Sequence, residues 1–232
     1  MNQKKIIPTF ARMPLLAVLF TNCFIYYIAK LIAGGLEHHS ILLGLDSLVP
    51  FCPFFIIFYV LAYVQWVLGY VSAAREGGEL FFWMVSASVV SKLICLVIFI
   101  AFPTQMERPE ITGGGFFNWL TGVIYYFDTP VNLFPSIHCL ESWLCVRAAL
   151  RSGERKTSLK LLTSVFALLV FASTIFVKQH AVLDIIGGVA VAELGIAISQ
   201  RIKLGSVISR LCTALFQKNS LRSPADAGHG KQ

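Results

Sequence analysis

The chain has 232 residues, 56% hydrophobic and only 13% charged, with a mean hydropathy of +0.73, too apolar for a water-soluble domain with an ordinary polar surface. Nineteen Lys and Arg against twelve Asp and Glu give a net charge of +7. The basic residues lie between apolar runs rather than along one aromatic-rich face, which argues against nucleic acid as a partner and for a polytopic, all-α membrane protein.

A spanning helix needs about 20 mostly apolar residues, and six candidate runs follow in chain order. Lys4, Lys5 and Arg12 precede the first, near 13–33, which has no convincing signal-peptidase site and is read as a retained span. The second and third lie near 48–70 and 81–102. The longest connection, 103–136, contains Pro103, Pro109, Gly113-Gly114-Gly115 and an apolar patch from Trp119 to Phe127, too short to span and expected to lie in the interface. A short fourth run, 137–150, carries Arg147, and the fifth and sixth lie near 159–177 and 181–200. The predicted architecture is a six-transmembrane-helix bundle over 1–205, with an extracytoplasmic loop between helices 3 and 4. A mobile cytoplasmic tail is expected over 206–232. Six scattered cysteines, without zinc-like spacing, read as apolar fillers.

With the N-terminus inside, fifteen of the nineteen basic residues fall on the inner segments, leaving Arg108 and Lys178 in outer connections, Lys30 near an outer helix end and Lys92 inside the third span. Both termini are therefore expected to be cytoplasmic. Arg108, Ser136, His138, Lys178, His180 and Asp184 then converge on the outer face. Ionisable groups at membrane boundaries are costly, which makes them functional candidates.

At i and i+4 on a helix, His180 and Asp184 share a face, so the carboxylate is expected to accept from one imidazole nitrogen and leave the other as a nucleophile. The simpler reading of the pair is a helix cap. In Pro135-Ser136-Ile137-His138 a helix starts: Ser136 is the expected N-cap, the first-turn amides suit a phosphate, and His138 is placed to protonate a departing oxygen. Arg108, held extended by Pro109, has the planar fork that matches phosphate oxygens. Glu141, on the His138 face, is read either as tuning that histidine or as a buried acid satisfied by hydroxyls. Asp128 and Asn132 are read as turn formers.

Arg108-Pro109, then Pro135-Ser136-x-His138, then Ser173 followed by His180-x-x-x-Asp184, resemble the three ordered signatures of the type 2 phosphatidic acid phosphatase (PAP2) superfamily over roughly 90–190. The resemblance implies a metal-independent lipid phosphatase with no cofactor. His180 would form a phosphohistidine, His138 would act as general acid, and Asp184 would orient His180. Arg108, the amides near Ser136, and Lys178 would bind the substrate phosphate. Two positions depart from the pattern. Ala101 stands where the first signature has lysine, with Lys92 too deep to replace it, and Thr174 follows Ser173 where arginine is usual, with Lys178 as the substitute. The substrates implied are polyprenyl pyrophosphates, phosphatidic acid or phosphatidylglycerol phosphate, reached laterally from membrane lipids, in a bacterial cell membrane. Two alternatives remain: a phosphotransferase moving a headgroup to a lipid acceptor, and a non-catalytic transporter or scaffold.

Overall fold

The helices α1 (Thr9–Ala33), α3 (Ile56–Glu76), α4 (Gly78–Ala101), α7 (Thr157–Phe176) and α8 (Val182–Arg201) are built from long apolar stretches that satisfy their own backbone hydrogen bonds, the requirement for crossing hydrocarbon. Among the described residues there are also four shorter α-helices: α2 (Gly44–Leu48), α5 (Phe116–Phe127), α6 (Ile137–Arg151) and α9 (Leu204–Ser220). These come from a computed structural model that describes residues 7–220. Among the described residues there is no β-strand, only two isolated bridges in the connecting loops.

Five helices are long and apolar enough to span a membrane. The expected count of six is not reached, because α6 has 15 residues, a rise of about 22 Å against a hydrocarbon core of about 30 Å. Instead α6 is sheltered inside the bundle, with Leu140, Leu144, Cys145, Ala148 and Ala149 fully buried. Around it the packing is inside-out in the manner of a membrane protein. Leu16, Leu19, Phe20, Leu31, Val67, Leu68, Leu161, Leu162 and Leu168 face outward, while small residues let helices approach.

The centre of the bundle is α4, half of whose apolar window is buried against 17% for α1 at the periphery. Its Phe81, Met84, Val85, Cys95 and Phe99 pack with Leu140 and Leu144 of α6 and Ala192 and Ile196 of α8. Two glycines of α8 set these approaches. A Cβ on Gly195 would lie 2.0 Å from Ser91 Oγ and 2.9 Å from Ser91 N, and one on Gly188 would lie 2.5 Å from the Ser136 carbonyl oxygen. Gly188 thereby allows the start of α6 to rest directly on α8.

The first part of the stretch expected as a tail is helical. Residues 204–220 form α9, whose Ile208 and Cys212 pack against the core around α4. The physical reason lies in the spacing: Leu204, Val207, Ile208, Leu211 and Cys212 recur at helical intervals among polar residues, giving one apolar stripe. Residues 221–232 lie outside the described residues. The six cysteines are free thiols.

The apolar patch of the long connection forms α5, 12 residues long, with Phe116, Trp119, Tyr126 and Phe127 exposed, as aromatic side chains at a membrane interface are. The rest of this connection is pinned. Thr104 is fully buried, and its Oγ1 accepts from Leu133 N and Phe134 N, both at 2.9 Å, while its carbonyl accepts from Asn132 N at 2.7 Å.

Candidate active site

His138 and His180 come together at the end of the bundle where α6 and α8 begin. Their ring centroids are 6.4 Å apart, and both line a cavity of about 310 Å³ walled by Tyr26, Tyr59, Tyr63, Trp66 and Asn132. A larger cavity of about 680 Å³ opens at the opposite end, between α4, α8 and α9, and is lined by Arg151, Lys203 and Arg210 with no histidine.

His180 does not sit on a helix face with Asp184, as the i, i+4 argument expects. Helix α8 begins at Val182, with Ala181 extended as its N-cap. Asp184, at the third helical position, reaches back. Its Oδ2 accepts from Ala181 N at 2.8 Å and pairs with His180 Nδ1 at 3.1 Å. Capping and orientation of the imidazole are thus one interaction, and Asp184 is fully buried. With Nδ1 engaged, His180 Nε2 is the nitrogen left for chemistry.

Ser136 is the N-cap of α6, its Oγ accepting from Cys139 N at 3.4 Å. Its own amide donates to the Asp184 carbonyl at 3.1 Å, which joins the starts of α6 and α8. The following amides of Ile137 and His138 have no intrahelical acceptor, as in any first turn. His138 stacks on Tyr59 at 3.9 Å between centroids, with Trp66 at 5.1 Å and Tyr63 at 5.4 Å. Tyr59, Tyr63 and Trp66 form an aromatic face of α3 that holds the ring, and Tyr59 OH donates to Asp128 Oδ2 at 3.1 Å.

Arg108 is brought to the same end. Its guanidinium donates to the Asp128 carbonyl and to Gln179 Oε1, next in sequence to His180, and lies 4.5 Å from the Tyr125 ring centroid. Burial lowers the Arg108 pKa and the Asp128 carboxylate opposes this. Burial likewise pushes Tyr125 up to about 12, keeping it a neutral donor to the Val177 carbonyl at 2.7 Å.

Lys178 is directed elsewhere. Its ammonium donates to the carbonyls of Asp46, at 2.9 Å, and Val49. It shares with His180 the wall of a second cavity of about 280 Å³, on the α2 side. Asp46 also receives Val182 N at 2.8 Å and Leu43 N at 2.7 Å. The α2 segment is therefore fastened over the turn that carries His180.

Several buried polar atoms around the histidines have no hydrogen-bond partner among the described residues: His138 Nε2, Asn132 Oδ1, Arg108 Nε, Gln179 Nε2 and Asp184 Oδ1. Such a concentration in one place marks capacity held for a ligand or water. No group of three or more His, Cys, Asp or Glu suited to a metal occurs among the described residues.

Sequence reasoning missed Gln179, Asp46 and the aromatic face of α3. Tyr59, Tyr63 and Trp66 carry a signal, the i, i+4, i+7 spacing, but an aromatic stripe at that spacing reads first as core. Nothing local in the sequence marks Gln179 or Asp46 as partners of distant residues.

Five apolar helices long enough to span, with a polar, histidine-bearing cleft at one end of the bundle, indicate an integral membrane protein. Residues 122–198, about a third of the chain, match the family model of the PAP2 superfamily, which supports membership of that superfamily. The match takes in Ser136, His138, Lys178, His180 and Asp184 and leaves Arg108 outside. Members of the superfamily are generally phosphatases acting on phosphate esters, and the match suggests an activity of that type. No significant match to a curated protein or to a solved structure accompanies this one.

Proposed function

We propose that this protein is a metal-independent lipid phosphate or pyrophosphate phosphatase working at the outer membrane face, with both termini cytoplasmic. The observation that carries the reading is the pair of imidazoles 6.4 Å apart on one cavity wall, one of them fixed through Nδ1 by Asp184. His180 Nε2 attacks phosphorus; the N–P bond forms as the bond to the leaving oxygen breaks, and His138 gives that oxygen a proton. Water then attacks the phosphohistidine, His138 takes its proton, and the N–P bond breaks to release phosphate. Arg108 and the first-turn amides of α6 balance charge on the equatorial oxygens, the main contribution a protein makes to phosphoryl transfer. The ammonium of Lys178 is engaged by the α2 carbonyls, so in this reading it acts by charge from behind His180 instead of by contact. The lopsided distribution of Lys and Arg supports the sidedness.

The test is phosphate release from a panel of lipid phosphates and pyrophosphates by the purified protein in detergent, alongside His180→Ala. Release by the wild type that falls at least a thousandfold in the variant supports the reading. Unchanged release ends the role of His180, and release that requires an added lipid alcohol makes the protein a phosphotransferase.

A further inference from the structure

The cleft does not use a buried lysine–glutamate ion pair found among the described residues. Lys92 Nζ lies 2.8 Å from Glu141 Oε1, with both side chains 2% exposed. Both carboxylate oxygens are also engaged by hydroxyls: Ser88 Oγ donates to Oε1 at 2.6 Å and Tyr70 OH to Oε2 at 3.0 Å. The ammonium has three N–H donors, and among the described residues Glu141 is its only bonded partner. Lys92, Glu141 and Tyr70 line a groove of about 570 Å³ between α1 and α3, together with Arg12, Asn22 and mostly apolar residues such as Leu15, Leu19 and Val67. This groove and the histidine cavity share Asn22, Tyr63 and Trp66 as walls, so the two adjoin.

Two physical facts make this arrangement informative. An ion pair inside hydrocarbon is costly, and an apolar pair of similar volume would serve packing at least as well. A purely apolar occupant of the groove also gains nothing from an ammonium with spare donors. Glu141 stands three residues after His138 on α6, about 4.5 Å deeper at 1.5 Å per residue. When a phosphate rests on the histidines, an ester or amide carbonyl a few bonds away lies at that depth, whereas a hydrocarbon chain attached directly to the phosphate offers no acceptor there.

We propose that Lys92, held by Glu141, is a specificity-determining residue that donates a hydrogen bond to a carbonyl oxygen of the lipid, one turn below the phosphate. This rests on the reading of the histidine cavity as the phosphate site. The charge of Lys92 complements the carbonyl, and the groove receives the chain beyond it.

The experiment measures binding, so that it does not depend on turnover. In the full-length protein carrying His180→Ala, in detergent, the affinities of a 1,2-diacylglycerol phosphate and of its 1,2-dialkyl ether counterpart of equal chain length are compared by quenching of intrinsic tryptophan fluorescence. The diacyl lipid binds about tenfold tighter, the worth of one hydrogen bond to a charged group. The paired substitution Lys92→Met with Glu141→Gln removes both charges and keeps an amide oxygen to accept from one of Ser88 and Tyr70, while the amide nitrogen donates to the other hydroxyl; it abolishes that difference and leaves thermal stability close to the parent. Equal affinities in the parent, which need no further variant, overturn the proposal, as does a tenfold preference that survives the paired substitution. Binding with the expected preference but no phosphate release from wild type sinks the phosphatase reading instead, and failure of both lipids to bind sinks both.

Discussion

Replacing Asp184 by asparagine isolates the charge of the carboxylate from its geometry. Oδ2 serves both His180 Nδ1, at 3.1 Å, and Ala181 N, at 2.8 Å, while Oδ1 has no partner. An amide with its oxygen at the Oδ2 position keeps both hydrogen bonds, so the helix cap and the ring orientation survive. At an effective dielectric of about 20, a unit charge on an imidazole 3.1 Å away interacts with the carboxylate by about 5 kcal/mol. With about half of that charge developed on the ring at the transition state, the barrier rises by about 2.5 kcal/mol, a loss of roughly a hundredfold in kcat. The amide nitrogen at the Oδ1 position is buried without an acceptor and costs about 1–3 kcal/mol of stability. The assay pairs initial rates of phosphate release at saturating lipid with thermal unfolding in the same detergent, so that the two effects are read separately. A variant that stays folded and retains kcat within threefold of wild type would refute the assignment of Asp184 as the electrostatic partner of His180.

Further outcomes follow from the packing. Gly195→Ala forces a methyl group against Ser91 Oγ, 2.0 Å from the ideal Cβ position, and lowers stability by about 1–3 kcal/mol through overpacking between α4 and α8; thermal unfolding measures it, and an unchanged midpoint contradicts the close approach. Asp46→Ala removes the acceptors of Val182 N and Leu43 N, at a cost of about 1–2 kcal/mol in capping, and frees the α2 segment from the His180 turn. Limited proteolysis then cuts between residues 40 and 50 faster than in wild type. A chelator in excess leaves phosphate release unchanged; activity lost to chelation and restored by a divalent ion would refute the metal-independent mechanism.

Much of the fold was legible because hydrocarbon imposes a coarse rule: runs of the right length and apolarity become helices, and five of the six candidate runs meet it. The run 137–150 shows where the rule stops. Its helix is short and carries Glu141 and Arg147, and only the shell of longer helices around it explains how it is kept from lipid. In the stretch after Gly205 the apolar residues are diluted by Ser, Arg and Thr, so that average polarity hides the stripe of α9 that is visible at helical spacing. At the site, His138, His180, Asp184 and Ser136 were each marked by local pattern and do meet. Lys178 was marked equally well by its place beside His180, yet its backbone takes a positive φ of 52° and its ammonium turns to α2.

The sequence by itself determined that this chain is built of apolar helices, that basic residues concentrate on one set of connections, and that two histidines and an aspartate open two of the helices. These are properties of composition and spacing, which act within a few turns of chain. The tertiary structure alone decided that Gln179 and Asp128 hold Arg108, that the aromatic face of α3 encloses His138, that Asp46 fastens α2 over the cleft, and that Lys92 and Glu141 meet. Each of these joins residues about 20 to 136 positions apart, and such pairings depend on which helix faces are brought together by packing, for which no local pattern of residues carries a mark.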